Sequence, residues 1–225
     1  KEKIMGGVFF TAALTSILAV LLRCVFLFAN GIPAMGKVGL FKFLAGTNWA
    51  PTDSPASFGI FPMILGSIYV TAGALIVGVP IGILTAVFLA KYCPKKWYRI
   101  LKGGVDLLAG IPSVVYGFFG LVVLVPMVRD TFGGNGNSIL TASLLLGIMI
   151  LPTIIETSEA AIQAVPDKYY EGALALGATH ERSVYRTVVP AAKSGILAGI
   201  ILGVGRAIGE TMAVIMIAGN QPRMA

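Results

Sequence analysis

Charge is scarce in this chain. Lys, Arg, Asp and Glu together supply 12% of its 225 residues, whereas 56% are hydrophobic; a soluble domain carries roughly a quarter charged residues. A water-soluble fold of this length could not hide so much apolar side chain. Histidine and cysteine are almost missing: there is one His180, which reads as a solvated loop residue, and Cys24 and Cys93 stand apart. Zinc or haem ligation therefore has no donor set. No GxxxxGK[ST] stretch is present to cradle a nucleotide's phosphates. The glycines of LGVGRAIG lack dinucleotide-binding spacing and follow no strand, and no Ser/His/Asp set or carboxylate dyad supports catalysis. Nor is there a lysine-rich run interleaved with aromatics, so the net charge of +7 reads as loop charge on one side of a membrane rather than nucleic-acid binding.

Long apolar runs take the place of all this. A helix crosses a bilayer with about 20 mostly apolar residues, and residues 4–29, 58–90, 105–128, 138–164 and 195–218 offer five such stretches. The expectation is an all-α polytopic membrane protein forming a single transmembrane domain over 1–225. The first stretch is too long for the apolar core of a signal peptide and reads as a retained span. Residues 30–57 are richer in Gly, Pro, Asn and Asp and include a short amphipathic candidate, GKVGLFKFL.

Orientation follows from the basic residues. With the N-terminus cytoplasmic, inner loops hold Lys1, Lys3, Lys91, Lys95, Lys96, Arg99, Lys102, Lys168, Arg182, Arg186 and Lys193. Outer loops then hold only Lys37, Lys42, Arg129 and Arg223. Cytoplasmic loops carry the excess of Lys and Arg, so the N-terminus is placed inside. The sequence opens without an initiator Met, and five spans leave GNQPRMA outside. A short preceding segment and a sixth helix are expected in the full chain. Glycines at 78 and 82, 199 and 203, and 205 and 209 have the small-xxx-small spacing that lets helix backbones approach closely in lipid.

The cytoplasmic segment 166–193 is the most informative. Pro166 and Asp167 open a helix, Gly177 is a left-handed C-cap, and THERSVYRTVV forms a second helix. A helix-glycine-helix knob with an apolar top either docks on another protein or lies on the membrane surface. Glu171-Gly172-Ala173, three residues, Gly177, nine residues and Thr187-Val188-Val189-Pro190 resemble the EAA loop of ABC importer permeases. In that pattern Gly172 replaces an alanine, while Thr187 and Val189 replace an aliphatic pair.

FGIFPMILGSIYVT, LLAGIPSVVYGFFGLVVLVP and GRAIGETMAVIMIAGN extend the resemblance over essentially the whole chain, to the permeases of phosphate-specific ABC importers and their C-type subunit in particular. The resemblance implies a type I ABC importer permease fold in the cytoplasmic (inner) membrane of a prokaryote. It implies a second homologous permease, a dimer of ATPase subunits that bind ATP and Mg, and an extracytoplasmic phosphate-binding protein as partners. The chain itself would hold no cofactor and catalyse nothing. Glu171, Gly172, Ala173, Leu174, Leu176 and Gly177 would contact the ATPase.

Within the spans, Arg206 and Glu210 are four residues apart and are expected to share a helix face as an ion pair. Charges at membrane depth mark a translocation path or lock two helices, and a guanidinium suits phosphate oxygens. Ser113 and Tyr116, beside Pro112, either line a polar cavity or accompany a packing kink. Glu156 and Glu159 are expected to pair with inner-loop cations or with the partner permease. Two other readings remain open: a permease for another oxyanion or small solute, and a stand-alone carrier or channel.

Overall fold

The computed structural model describes residues 2–219, which fall into two units divided after Ile64. The first begins with α1 (Glu2–Val38), which is apolar enough to cross a membrane from Met5 to Val38. It continues past residue 29, where the sequence predicted its end. Asn30 donates to the Phe26 carbonyl at 2.8 Å, a helix-compatible bond, and Pro33 is accommodated within the helix. After α2 (Leu40–Ala45), β1 (Trp49–Ala50) and β2 (Ser57–Phe58) form a small antiparallel hairpin with Trp49 opposite Phe58.

The second unit is organised around α7 (Ile139–Gln163), whose N-cap Ser138 accepts from the Thr141 amide. Its Leu145, Leu146, Met149, Ile150 and Ile154 are fully buried. α3 (Phe61–Val87) packs on α7 by its residues from Leu65 onward, and α11 (Lys193–Gly209) packs along another face. Glycine makes both approaches possible. A Cβ on Gly82 would lie 2.8 Å from Ile154, and one on Gly203 2.9 Å from the same residue. Gly205 and Gly209, spaced the same way, face open space within the described residues.

Two stretches read as single spans are broken. Residues 105–128 divide between α4 (Lys95–Gly110) and a helix running through α5 (Ser113–Phe119), a π-helical turn and α6 (Val125–Phe132). Pro112 lacks an amide hydrogen and forces extended backbone on the residue before it, as the ψ of 126° at Ile111 records. Residues 195–218 divide at Glu210, extended with ψ 124°, between α11 and the helix Met212–Ala218. Between α7 and α11 come α8 (Asp167–Ala175), α9 (His180–Ser183), a π-helical turn and α10 (Val189–Ala191). The helix Met212–Ala218 is α12, and it packs against α5 at Gly117 and against the following π-helical turn at Gly120.

Candidate functional site: an arginine between broken helices

Arg206 lies 13 residues into α11, about 20 Å along its axis, beside the middle of α7. It does not form the ion pair with Glu210 that the spacing predicted, because the helix ends between them. Past Gly209 the chain is extended, and the Glu210 carboxylate turns forward to accept from the Ala213 amide at 3.1 Å. That bond satisfies one of the orphan donors in the first turn of α12. Arg206 instead donates from Nη1 to Thr153 Oγ1 at 3.1 Å. Among the described residues no carboxylate pairs with it. A half-buried guanidinium with five donors therefore spends one on a neutral hydroxyl.

Tyr116 reaches the same region from the other broken span. It is buried, and its hydroxyl donates at 2.8 Å to the Leu108 carbonyl at the end of α4, which also accepts from the Ile111 amide at 3.4 Å. Its hydroxyl proton is committed to the break in the chain. Tyr116 packs in the same buried cluster as Ala207, the residue after Arg206; Ser113 opens α5 with its side chain half-buried. Thr153 was not singled out by its sequence context, an ordinary position next to Pro152. The Gly209-Glu210-Thr211 run did hold a signal: a glycine followed by two residues able to cap a helix.

The knob forms around Gly177. The Gly177 amide donates to the Leu174 carbonyl at 2.9 Å and the Ala178 amide to the Ala173 carbonyl at 3.1 Å. These are the paired bonds of a Schellman end, and Gly177 holds φ +84°. Thr179 then caps α9, accepting from the Arg182 amide. Glu171, Gly172 and Leu174 are exposed, Ala173 is half-buried, and Leu176 at the apex is 91% exposed.

The knob's root is tied to the π-helical turn Phe88–Tyr92 that continues α3. Lys91 lies 3.9 Å from Asp167, and the Tyr92 ring meets His180 edge-on at 4.8 Å. His180 Nδ1 and the Tyr170 hydroxyl are 2.7 Å apart; the chain's one histidine is exposed, as expected, but it opens α9 and is flanked by two tyrosines.

A second polar cluster fastens α4 to the C-terminal end of α7. Glu159, 3% exposed, accepts from the Tyr98 hydroxyl at 2.7 Å and from Gln163 at 2.9 Å, and lies 3.6 Å from Lys102. Partial burial lowers the Lys102 ammonium pKa, but Glu159, Asp106 and Glu156 outweigh it and hold the group above its ordinary value. A raised lysine pKa contributes stability that is fully present below about 10.5 and lost as pH rises through the raised value; the Lys102 ammonium thus stays charged at neutral pH. Lys102→Met strips the buried carboxylate of its cation and is expected to cost about 2 kcal/mol. The measurement is the thermal midpoint of the detergent-solubilised protein, which Lys102→Met should lower and Lys102→Met/Glu159→Gln should partly restore. An unchanged midpoint in the single variant refutes the clasp.

Spans that break beside an arginine without a carboxylate partner among the described residues, with a helix-glycine-helix knob between them, fit a membrane-spanning transport subunit. Residues 78–224 match the model of the binding-protein-dependent transport system inner membrane component family, and the chain belongs to that family. It is 39% identical over 223 residues to the "Probable ABC transporter permease protein YqgH" of Bacillus subtilis, covering 97% of this chain and 72% of that protein. It is 36% identical to the phosphate transport system permease protein PstC of Mesorhizobium japonicum over 88% of this chain and 66% of the relative. The "Probable phosphate transport system permease protein PstC" of Methanocaldococcus jannaschii is 33% identical over 87% and 67%. The chain thus spans 66% to 72% of the length of these relatives.

Proposed function

We propose that this chain is the membrane-spanning subunit through which inorganic phosphate enters the cell, driven by ATP hydrolysed on separate subunits. The observation that carries the reading is Arg206: a guanidinium at membrane depth, steadied by Thr153 and unneutralised by any carboxylate among the described residues. Phosphate near neutral pH is an anion, and removing its water in a low-dielectric path without a compensating charge costs many kcal/mol. In this reading Arg206 supplies that charge transiently, Tyr116 and Ser113 belong to the same path, and Glu210 holds the start of α12 by accepting from the Ala213 amide. The PstC names of two relatives support phosphate as the anion.

In this reading the chain is a transport subunit rather than an enzyme and holds no cofactor of its own; ATP and Mg bind to a partner. Its partners are a second homologous permease, a dimer of ATPase subunits seated on Glu171, Gly172, Ala173, Leu174, Leu176 and Gly177, and an extracytoplasmic phosphate-binding protein. The N-terminus and the knob face the cytoplasm of a prokaryote, as the distribution of Lys and Arg requires.

The test is ATP hydrolysis by the reconstituted complex with its binding protein. Phosphate should stimulate hydrolysis severalfold, while sulfate and molybdate leave it at the basal rate. Stimulation by sulfate or molybdate alone assigns the path to another oxyanion; purification without any ATPase makes the chain a stand-alone carrier.

A further inference from the structure

We propose that the first turns of α4 form a binding surface for anionic phospholipid headgroups, with the apolar side of the same helix facing the acyl chains. The helix divides into three arcs. Tyr98, Lys102 and Val105 turn toward α7, where Glu159 and Ile155 receive them. Next come Trp97, Ile100 and Leu107, exposed to 57%, 64% and 75%, an apolar stripe with no partner in this unit. Beyond the stripe lie Lys95, Lys96 and Arg99, all exposed and without a carboxylate partner among the described residues.

Charge balance selects the occupant. The carboxylates near this helix are Glu159, Glu156 and its own Asp106; all three act on Lys102, which pairs with Glu159 and Asp106, and none pairs with Lys95, Lys96 or Arg99. Three cations remain uncompensated beside an apolar stripe headed by a tryptophan. That pattern fits the boundary between headgroups and hydrocarbon, where indole rings settle and long basic side chains extend toward phosphate. Each cation near an anionic leaflet adds to the attraction. Beside Leu101 and Val105, an apolar groove of about 380 Å³ between α4 and Leu84, Phe88 and Leu89 of the α3 run offers room for an acyl chain. The chemistry recognised is a negatively charged glycerophospholipid, phosphatidylglycerol being the simplest probe.

Trp97 reports on its own surroundings. The full chain, isolated with the subunits that accompany it, is placed in phosphatidylcholine vesicles containing a minor fraction of phosphatidylglycerol. Bromine is carried on the acyl chains of either the phosphatidylglycerol or an equal amount of the phosphatidylcholine. The Trp97 signal is the difference between the unaltered chain and Trp97→Phe. Brominated phosphatidylglycerol should quench it about threefold more than brominated phosphatidylcholine. The excess should vanish in Lys95→Gln/Lys96→Gln/Arg99→Gln and should fall as salt screens the headgroups. Equal quenching by the two lipids overturns the proposal, as does an excess that survives both the triple substitution and high salt. If the triple variant fails to insert, the salt titration of the unaltered chain decides alone.

Discussion

Arg206→Gln is expected to abolish phosphate uptake while the protein still reaches the membrane and assembles with its ATPase. Glutamine keeps much of the length and can still donate to Thr153 Oγ1, the arginine's one hydrogen-bond partner among the described residues, so the packing of α11 on α7 should survive. What disappears is the charge. A loss on the order of a hundredfold corresponds to about 3 kcal/mol of stabilisation withdrawn from the passing anion. Arg206→Lys should retain partial uptake, because a point charge can serve a moving anion without the planar fork.

The broken helix adds a second comparison. Glu210→Gln retains an oxygen for the Ala213 amide and should transport much better than Glu210→Val, which leaves the start of α12 without that acceptor. Radiolabelled phosphate uptake alongside co-purification of the ATPase measures each case. Normal uptake by Arg206→Gln would reduce Arg206 to a structural contact with Thr153 and move the path elsewhere.

Gly177→Val should disconnect the chain from its ATPase. A Cβ on Gly177 meets nothing within 4 Å, so crowding is not the source of the effect. The cost lies in the backbone: φ is +84°, and a β-branched residue there is disfavoured by at least about 1–2 kcal/mol. The strain is relieved by unwinding the Schellman end, which turns α9 and displaces the exposed Leu176. ATP hydrolysis should then lose its response to phosphate, or the ATPase should be lost during purification. Gly177→Asn, which tolerates left-handed geometry better, should fall between the two. Retained stimulation in Gly177→Val would refute the assignment of the knob as the coupling surface.

Much of this architecture was legible because lipid imposes simple rules. Apolar runs of sufficient length marked the helices, and Gly177 announced its turn through the spacing around it. The interruptions were harder to read. Pro112 was visible, yet a proline alone does not say whether a helix bends or stops; the outcome is tied to Tyr116, whose hydroxyl reaches the Leu108 carbonyl across the gap. At Glu210 the i,i+4 rule assumed an unbroken helix, and the assumption failed one residue past Gly209. Thr153 became visible only once α7 and α11 were packed together, since nothing local marks it. The Tyr98, Lys102 and Glu159 cluster likewise joins residues far apart in the chain.

His180 gives the knob a built-in reporter. Because it is the only imidazole in the chain, isotope labelling of histidine places a single signal on this subunit in a magnetic resonance spectrum, with no assignment to make. The ring sits edge-on to Tyr92 in the π-helical turn that continues α3 and within hydrogen-bond distance of Tyr170 in α8. Ring currents from the two tyrosines therefore displace that signal according to how the knob's root is seated. A turnover cycle that rocks the knob against α3 would be readable as the movement of one resonance, and a knob that moves rigidly with α3 as its constancy.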